Sequence, residues 1–226
     1  MEPEIPLSRL TDWAYVKPRL SIVPRRIVID LAVRLAYPIA GDIVEFGVWE
    51  GQSTRDMLAS LRRCERDQAA GAGKRIFACD SFKGLSEKFE NMDVGAFACE
   101  TPVIPGVEIV EGYFDQSLTP DLARRVGRVC FASLDADLYS STLCALRWLT
   151  PLLSTGSLLL FDEFLGEAES EKRAFDDWSR ETGTRTLAVA EFLRNPSGCG
   201  SRLDKRVLFQ VVAGDHIPAR PGTLVR

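Results

Sequence analysis

The chain has 226 residues, 46% hydrophobic and 27% charged, enough for one sizeable α/β domain or at most two small ones. Its 28 basic and 32 acidic residues are interspersed and leave a net charge of −4, which excludes the basic footprint of a nucleic-acid-binding surface. No apolar run is long enough to span a bilayer, and the opening MEPEIPLSRL lacks the basic and apolar segments of a signal peptide. A cytoplasmic protein with no membrane partner is therefore expected. The six cysteines, at 64, 79, 99, 130, 144 and 199, form no Cys-x-x-Cys pair, which fits reduced thiols better than a disulfide framework.

In chain order, a polar N-terminal segment precedes a helix at 25–37, whose expected buried face is Val28, Leu31, Ala32 and Leu35. Residues 1–40 are expected to form a helical cover. A strand at 42–47 (DIVEFG) leads into a helix opened by Ser53 and Asp56 as a capping-box-like start, with Met57, Leu58 and Leu61 buried. The run AAGAG (69–73) ends that helix, and RIFACD (75–80) is a second strand. A long irregular connection at 81–106 reads equally as a lid or a plain surface excursion. Strand signals then recur within 107–114, at 129–135 and at 157–163, with helices at 121–127, 139–153 and 167–182 between and after them. Two late runs, 186–193 and 205–212, flank the turn-rich NPSGCGSRLD and suggest a terminal hairpin.

Nearly all-apolar strands alternating with helices define an α/β fold: a doubly wound, Rossmann-like, mostly parallel sheet with helices on both faces and a C-terminal antiparallel hairpin. Residues 1–226 read as one domain. In such sheets ligands bind at the carboxyl ends of the strands, and here four strands end in acids: Glu45, Asp80, Asp135 with Asp137, and Asp162 with Glu163. One acid at a strand end is commonly a helix cap. Four clustered acids repel one another unless cations or hydrogen-bond donors compensate them.

At the first strand end, Gly47 and Gly51 let the backbone approach a ligand, and the helix start at Ser53 aims free N–H groups at the same place. The G-x-G-x-x-G of dinucleotide folds is missing. The spacing E-x-G-x-x-x-G resembles instead the first motif of class I S-adenosylmethionine-dependent methyltransferases, and Asp80 follows Gly51 by 29 residues, where a carboxylate can accept both ribose hydroxyls. The acids of D-A-D and D-E offer hard oxygen ligands from neighbouring strand ends, a set that suits Mg²⁺. Such a metal lowers the pKa of a bound hydroxyl, whose proton a spare carboxylate can take. The competing reading is that Asp137 merely caps the helix at Tyr139.

The stretches VEFGVWEGQST (44–54), ACDSFKGLSE (78–87), EGYFDQSL (111–118) and LDADLYSSTLCALRWLTPLLSTGSLLLFDEF (134–164) together resemble the macrocin and mycinamicin O-methyltransferase family. That resemblance implies methyl transfer from S-adenosylmethionine to a hydroxyl of a sugar or glycosylated natural product, with Mg²⁺ as a second cofactor. It makes Asp135, Asp162 and Glu163 metal ligands and Asp137 the general base. Glu45, Gly47, Gly51, Ser53 and Thr54 surround the methionine part; Asp80 and Ser81 end the ribose-binding strand, and Gly112 to Phe114 lie near the adenine. The family often carries Asp-Asp where this chain has Asp162-Glu163. Whether the chain forms a homo-oligomer is left open.

Two alternatives stand beside it. A D-x-D glycosyltransferase also holds a metal but leaves Glu45, Gly47 and Asp80 unexplained, and a non-catalytic S-adenosylmethionine-binding protein would be indifferent to Asp137→Asn. The single histidine, His216, sits in a Pro- and Gly-bearing tail and reads as an exposed turn residue. Trp13, Tyr15 and Trp49 are candidates to line an acceptor pocket, with the indole of Trp49 turned away from the cofactor. Trp148 and Trp178 read as helix-face core, and ESEKR (169–173) as a solvated helix face.

Overall fold

The computed structural model describes residues 23–67, 73–165, 170–193 and 205–213. Trp13, Tyr15, most of the 1–40 cover, Ala69 to Ala72, the 194–204 connection with Cys199, and His216 lie outside the described residues.

The elements run α1 (Arg25–Ala36), β1 (Asp42–Phe46), α2 (Gln52–Asp67), β2 (Ile76–Asp80), β3 (Glu108–Glu111), α3 (Phe114–Ser117) and α4 (Pro120–Val126). They continue with β4 (Val129–Leu134), α5 (Tyr139–Leu149), β5 (Leu158–Phe161), α6 (Ser170–Thr182), β6 (Arg185–Leu193) and β7 (Lys205–Ala213). The seven strands lie in the order β3-β2-β1-β4-β5-β7-β6. Strands β1 to β5 pair in parallel, and β7 joins β5 antiparallel and carries β6 at the edge. The expected doubly wound sheet with its terminal hairpin is thus the observed one.

The uniformly apolar strands follow from burial on both faces. On one face Ile43, Ile76, Phe131 and Leu158 pack against Val28, Ile29 and Ala32 of α1 and Met57 and Leu61 of α2. On the other, Val44, Phe46, Phe77 and Phe161 pack against Leu143, Leu146 and Leu149 of α5 and Ala174, Phe175 and Trp178 of α6. Trp178 is fully buried and its Nε1 donates to Thr150 Oγ1 at 2.8 Å, which satisfies the one polar atom of the ring. Trp148 is only half-buried and packs against the edge of that cluster. The helix expected at 139–153 is α-helical to Leu149 and closes in a 3₁₀ turn, Thr150–Leu152, where Pro151 has no amide to donate.

Three local expectations are corrected. Helix α1 buries Val28, Ile29, Ala32, Val33 and Ala36, while Leu31 and Leu35 are exposed. The sheet and α2 select the small and β-branched stripe, not the leucines one position away. Ser53 lies inside α2 and spends its hydroxyl on Glu45, not on a helix cap. In the 169–173 run, Lys172 pairs with Asp176 on the surface as expected, but Glu171 is buried and accepts the Glu163 N–H at 2.9 Å.

The connection 81–106 is an ordered structure. Leu85 N–H donates to Ala96 O and Gly95 N–H to Leu85 O, both at 2.9 Å, and Phe89 and Met92 form a bridge. Leu85 and Phe89 then pack on Leu138, directly after the D-A-D triplet.

Candidate active site

The topological switch point lies between β1 and β4, whose chains depart from the sheet in different directions. A cleft of about 500 Å³ opens there, within the size range of small-molecule sites. Its wall includes Gly47, Asp80 and Ser81 on one side, and Asp135, Asp137 and Glu163 on the other. Six of the residues singled out in the sequence therefore meet in one cavity.

The turn after β1 fits tightly. Gly47 has φ +87, and a Cβ there would stand 1.8 Å from the Asp135 carbonyl oxygen, so only glycine lets β1 pass this close to β4. Its first role is backbone approach between two strand ends. Trp49 also holds a left-handed φ of 49. Two backbone N–H groups, from Val48 and Trp49, donate to Asp80 Oδ2 at 2.7 and 2.9 Å, and Phe82 N–H donates to Oδ1 at 2.8 Å. Asp80 thus ties the β1 turn to the end of β2 and keeps spare acceptor capacity only on Oδ1. The Trp49 ring is half exposed and meets the edge of Phe97 at 6.3 Å between centroids. The indole consequently faces the 81–106 connection.

Beneath the turn, Glu45 is fully buried, and both its oxygens accept hydroxyl hydrogen bonds at 2.5 Å, from Ser53 and Thr54. Burial pushes the Glu45 carboxyl up to about 7, against the hydroxyl bonds and the nearby Arg25 charge, which favour its ionised form. Ser53 and Thr54 both spend their hydroxyls on Glu45; none of the three lines the cleft, and neither do Gly51, Gly112 and Asp162. Tyr113 and Phe114 do line it.

The second half is organised by arginine. Arg25 Nη2 donates to Asp135 Oδ2 at 2.6 Å, and its Nε stands 3.3 Å from Asp162 Oδ1. Arg206, from β7, donates through Nε to the same Asp162 oxygen at 2.6 Å, both side chains being buried. Burial opposes the Arg25 charge, yet Asp135, Asp162 and Glu45 hold its pKa above the ordinary value.

Asp135, Asp162 and Glu163 are the expected Mg²⁺ ligands, but the described residues contain no group of three His, Cys, Asp or Glu placed to hold a metal ion. Two guanidinium groups stand against the Asp135 and Asp162 oxygens that an ion would need, and Mg²⁺ tolerates little departure from a tight octahedron of oxygens. In this arrangement the residues do not fit the ion.

Asp137 lines the cleft with a left-handed φ of 54. The N-cap position of α5 is Leu138, so Asp137 does not occupy the capping position considered for it. Five non-glycine residues among those described have positive φ, and four of them, Trp49, Glu90, Phe97 and Asp137, line this one cleft. Such conformations cost on the order of 1–3 kcal/mol each and collect where side-chain placement is functional.

Sequence reasoning missed Arg25 and Arg206, the apolar wall of Phe89, Phe97 and Leu138, and Ser141. A signal for Arg25 does exist. A cation at a helix start opposes the helix dipole, and α1 carries no acid in its first turn to offset it.

The profile of a family described as "Methyltransferase domain" matches residues 44–164. That span is more than half of the chain and takes in β1 from Val44, all of β2 to β5 and the cleft residues from Gly47 to Glu163. The chain belongs to this methyltransferase domain family. It is also similar to an 8-demethyl-8-(2,3-dimethoxy-alpha-L-rhamnosyl)-tetracenomycin-C 4'-O-methyltransferase from Streptomyces olivaceus, 30% identical over 156 residues. This match covers 59% of the chain and 57% of that protein, so the chain spans little more than half of the curated relative's length.

Among solved structures, the O-methyltransferase NovP superposes with a TM-score of 0.60 at 19% identity, over 84% of this chain and 80% of NovP. An O-methyltransferase from Bacillus cereus in complex with SAH gives 0.53 at 18% identity, over 87% and 84%. At such identities the likeness is one of fold. Among the described residues no helix is long and apolar enough to cross a membrane.

Proposed function

We propose that the protein is an S-adenosylmethionine-dependent O-methyltransferase whose acceptor is a hydroxyl of a sugar or of a glycosylated natural product. The observation that carries this reading is the presence of Asp80 and Asp137 in the wall of one cleft at the β1/β4 switch point, within a methyltransferase domain. The acceptor class is supported by the similarity to a sugar O-methyltransferase. A glycosyltransferase gains nothing from this geometry, since it leaves the β1 turn and Asp80 without a role.

Gly47, Asp80 and Ser81 are the residues proposed to receive the cofactor, with Tyr113 and Phe114 beside its base. Gly51 and Gly112 shape the turns, and Glu45, Ser53 and Thr54 brace the first of them from below. When bound, S-adenosylmethionine supplies an activated methyl group, so the chain's own task is positioning and proton removal. Asp137 is proposed as the general base that takes the acceptor hydroxyl proton. The connection 81–106 is proposed to cover the acceptor, with Phe89 and Phe97 as its apolar contacts.

Calorimetry with S-adenosylmethionine and S-adenosylhomocysteine tests this directly. Both are expected to bind, Asp80→Ala to weaken both, and Asp137→Asn to leave binding within about twofold while lowering methyl transfer by about 10²–10⁴. Absence of binding by either ligand would overturn the reading. Labelled methyl transfer across a panel of sugars and glycosides identifies the acceptor.

A further inference from the structure

Two carboxylates from adjacent strand ends, Asp135 and Asp162, are held here by two guanidiniums that come from opposite ends of the chain. We propose that Arg25 is the resident cation of these strand ends, so that a divalent cation reaches Asp135 and Asp162 only by displacing the Arg25 side chain. The inference deepens the methyl-transfer reading, on which it rests for the role of the cleft.

Three observations carry it. First, Arg25 bridges both acids, at 2.6 Å to Asp135 and 3.3 Å to Asp162. Positive charge and N–H donors therefore already occupy one oxygen of each acid, Asp135 Oδ2 and Asp162 Oδ1.

Second, the placement of Arg25 makes little sense for the helix alone. It is the first residue of α1, where the macrodipole disfavours a cation, and Pro24 at the N-cap offers no side-chain hydrogen bond. The acids across space supply what the helix start lacks, so the contact serves both the helix and the site.

Third, the body of α1 is docked independently through Val28, Ile29, Ala32, Val33 and Ala36. The Arg25 side chain remains about one-third exposed toward the cleft. A rotamer change can release the two acids without undocking the helix. Arg206 is different: it is buried beside Asp162 and belongs to the sheet. The displaceable partner is Arg25.

Mn²⁺, whose free ion is counted by electron paramagnetic resonance, is a suitable probe in titrations of the full chain. Wild type is expected to bind it weakly. Arg25→Ala and Arg25→Gln are expected to bind it at least tenfold more tightly, and Arg25→Lys to stay within about threefold of wild type. Adding Asp135→Asn to Arg25→Ala is expected to abolish the gain. Equal Mn²⁺ affinity in wild type and both neutral variants, whether tight or weak, would overturn the proposal.

Should Arg25→Ala fail to fold, Arg25→Gln keeps a polar stem, and tight Mn²⁺ binding by the wild type alone is already decisive against it. S-adenosylhomocysteine binding, measured on the same samples, separates the two ideas. Its absence removes the methyl-transfer reading and leaves the cation result standing, whereas normal binding with no Mn²⁺ gain removes only this inference.

Discussion

The two halves of the cleft hold their carboxylates by opposite means. On the β1/β2 side, Glu45 and Asp80 are satisfied by neutral donors: the Ser53 and Thr54 hydroxyls and the amides of Val48, Trp49 and Phe82. These donors lie within one strand–turn–helix unit or at the start of the next loop. On the β4/β5 side, Asp135 and Asp162 are held by charges from Arg25 and Arg206, 110 and 44 residues away. The first half is largely shaped by its own local chain. The second depends on the sheet being complete and α1 docked, because its cations come from opposite ends of the chain.

The charged half is accordingly the more fragile. Arg206→Ala leaves Asp162 buried beside a weaker partner, Arg25 at 3.3 Å. A loss of about 3–5 kcal/mol is expected, the cost of breaking a buried pair, read by urea denaturation. A loss below about 1 kcal/mol would mean that the pair is dispensable and the contrast false.

The neutral half carries its own cost, and pH exposes it. The Glu45 carboxyl is raised in the folded protein to about 7 from an ordinary 4.5. A raised acid binds protons more tightly when folded, so its contribution is fully present below pH 4.5 and is lost as pH rises through about 7. The expected slope in that window is about 1.4 kcal/mol per pH unit. Glu45→Gln should flatten it relative to wild type in denaturation curves taken from pH 4.5 to 7.5. An unchanged slope would show that Glu45 is charged and compensated like the acids of the other half.

The smallest effect concerns the rim between the halves. Trp49→Gly removes an edge contact with Phe97 and relieves a left-handed tryptophan, two terms of about 1 kcal/mol with opposite sign. Stability should change by less than about 1 kcal/mol. Acceptor KM should rise while S-adenosylhomocysteine affinity stays constant; a parallel loss of cofactor affinity would move Trp49 to the other side of the cleft.

Much of the local half was legible in the residues. The acids at or near the ends of β1, β2, β4 and β5 could be located because each strand is an apolar run closed by a carboxylate, and the parallel pairing follows from alternation with helices; the order of the strands in the sheet does not. The clustering of Gly47, Asp80, Ser81, Asp135, Asp137 and Glu163 in one cleft is what that reasoning anticipated. Partner choice was not legible. A serine near a helix start reads as a cap, yet Ser53 turns to Glu45 because a buried carboxylate binds a hydroxyl more strongly than an amide end open to water does. Helix α1 has two apolar stripes one residue apart, and only the shape of the sheet and α2 beneath it decides that Val28 and Ile29 go in while Leu31 stays out.

By itself the sequence determined the alternation of elements, the acidic strand ends and the glycine at position 47, because periodicity, strand length and backbone freedom are properties of short segments. Only the tertiary structure decided what neutralises those acids. An ion pair between Arg25 and Asp135 depends on the distance between groups far apart in the chain, and no local pattern distinguishes a carboxylate awaiting a metal from one already held by arginine.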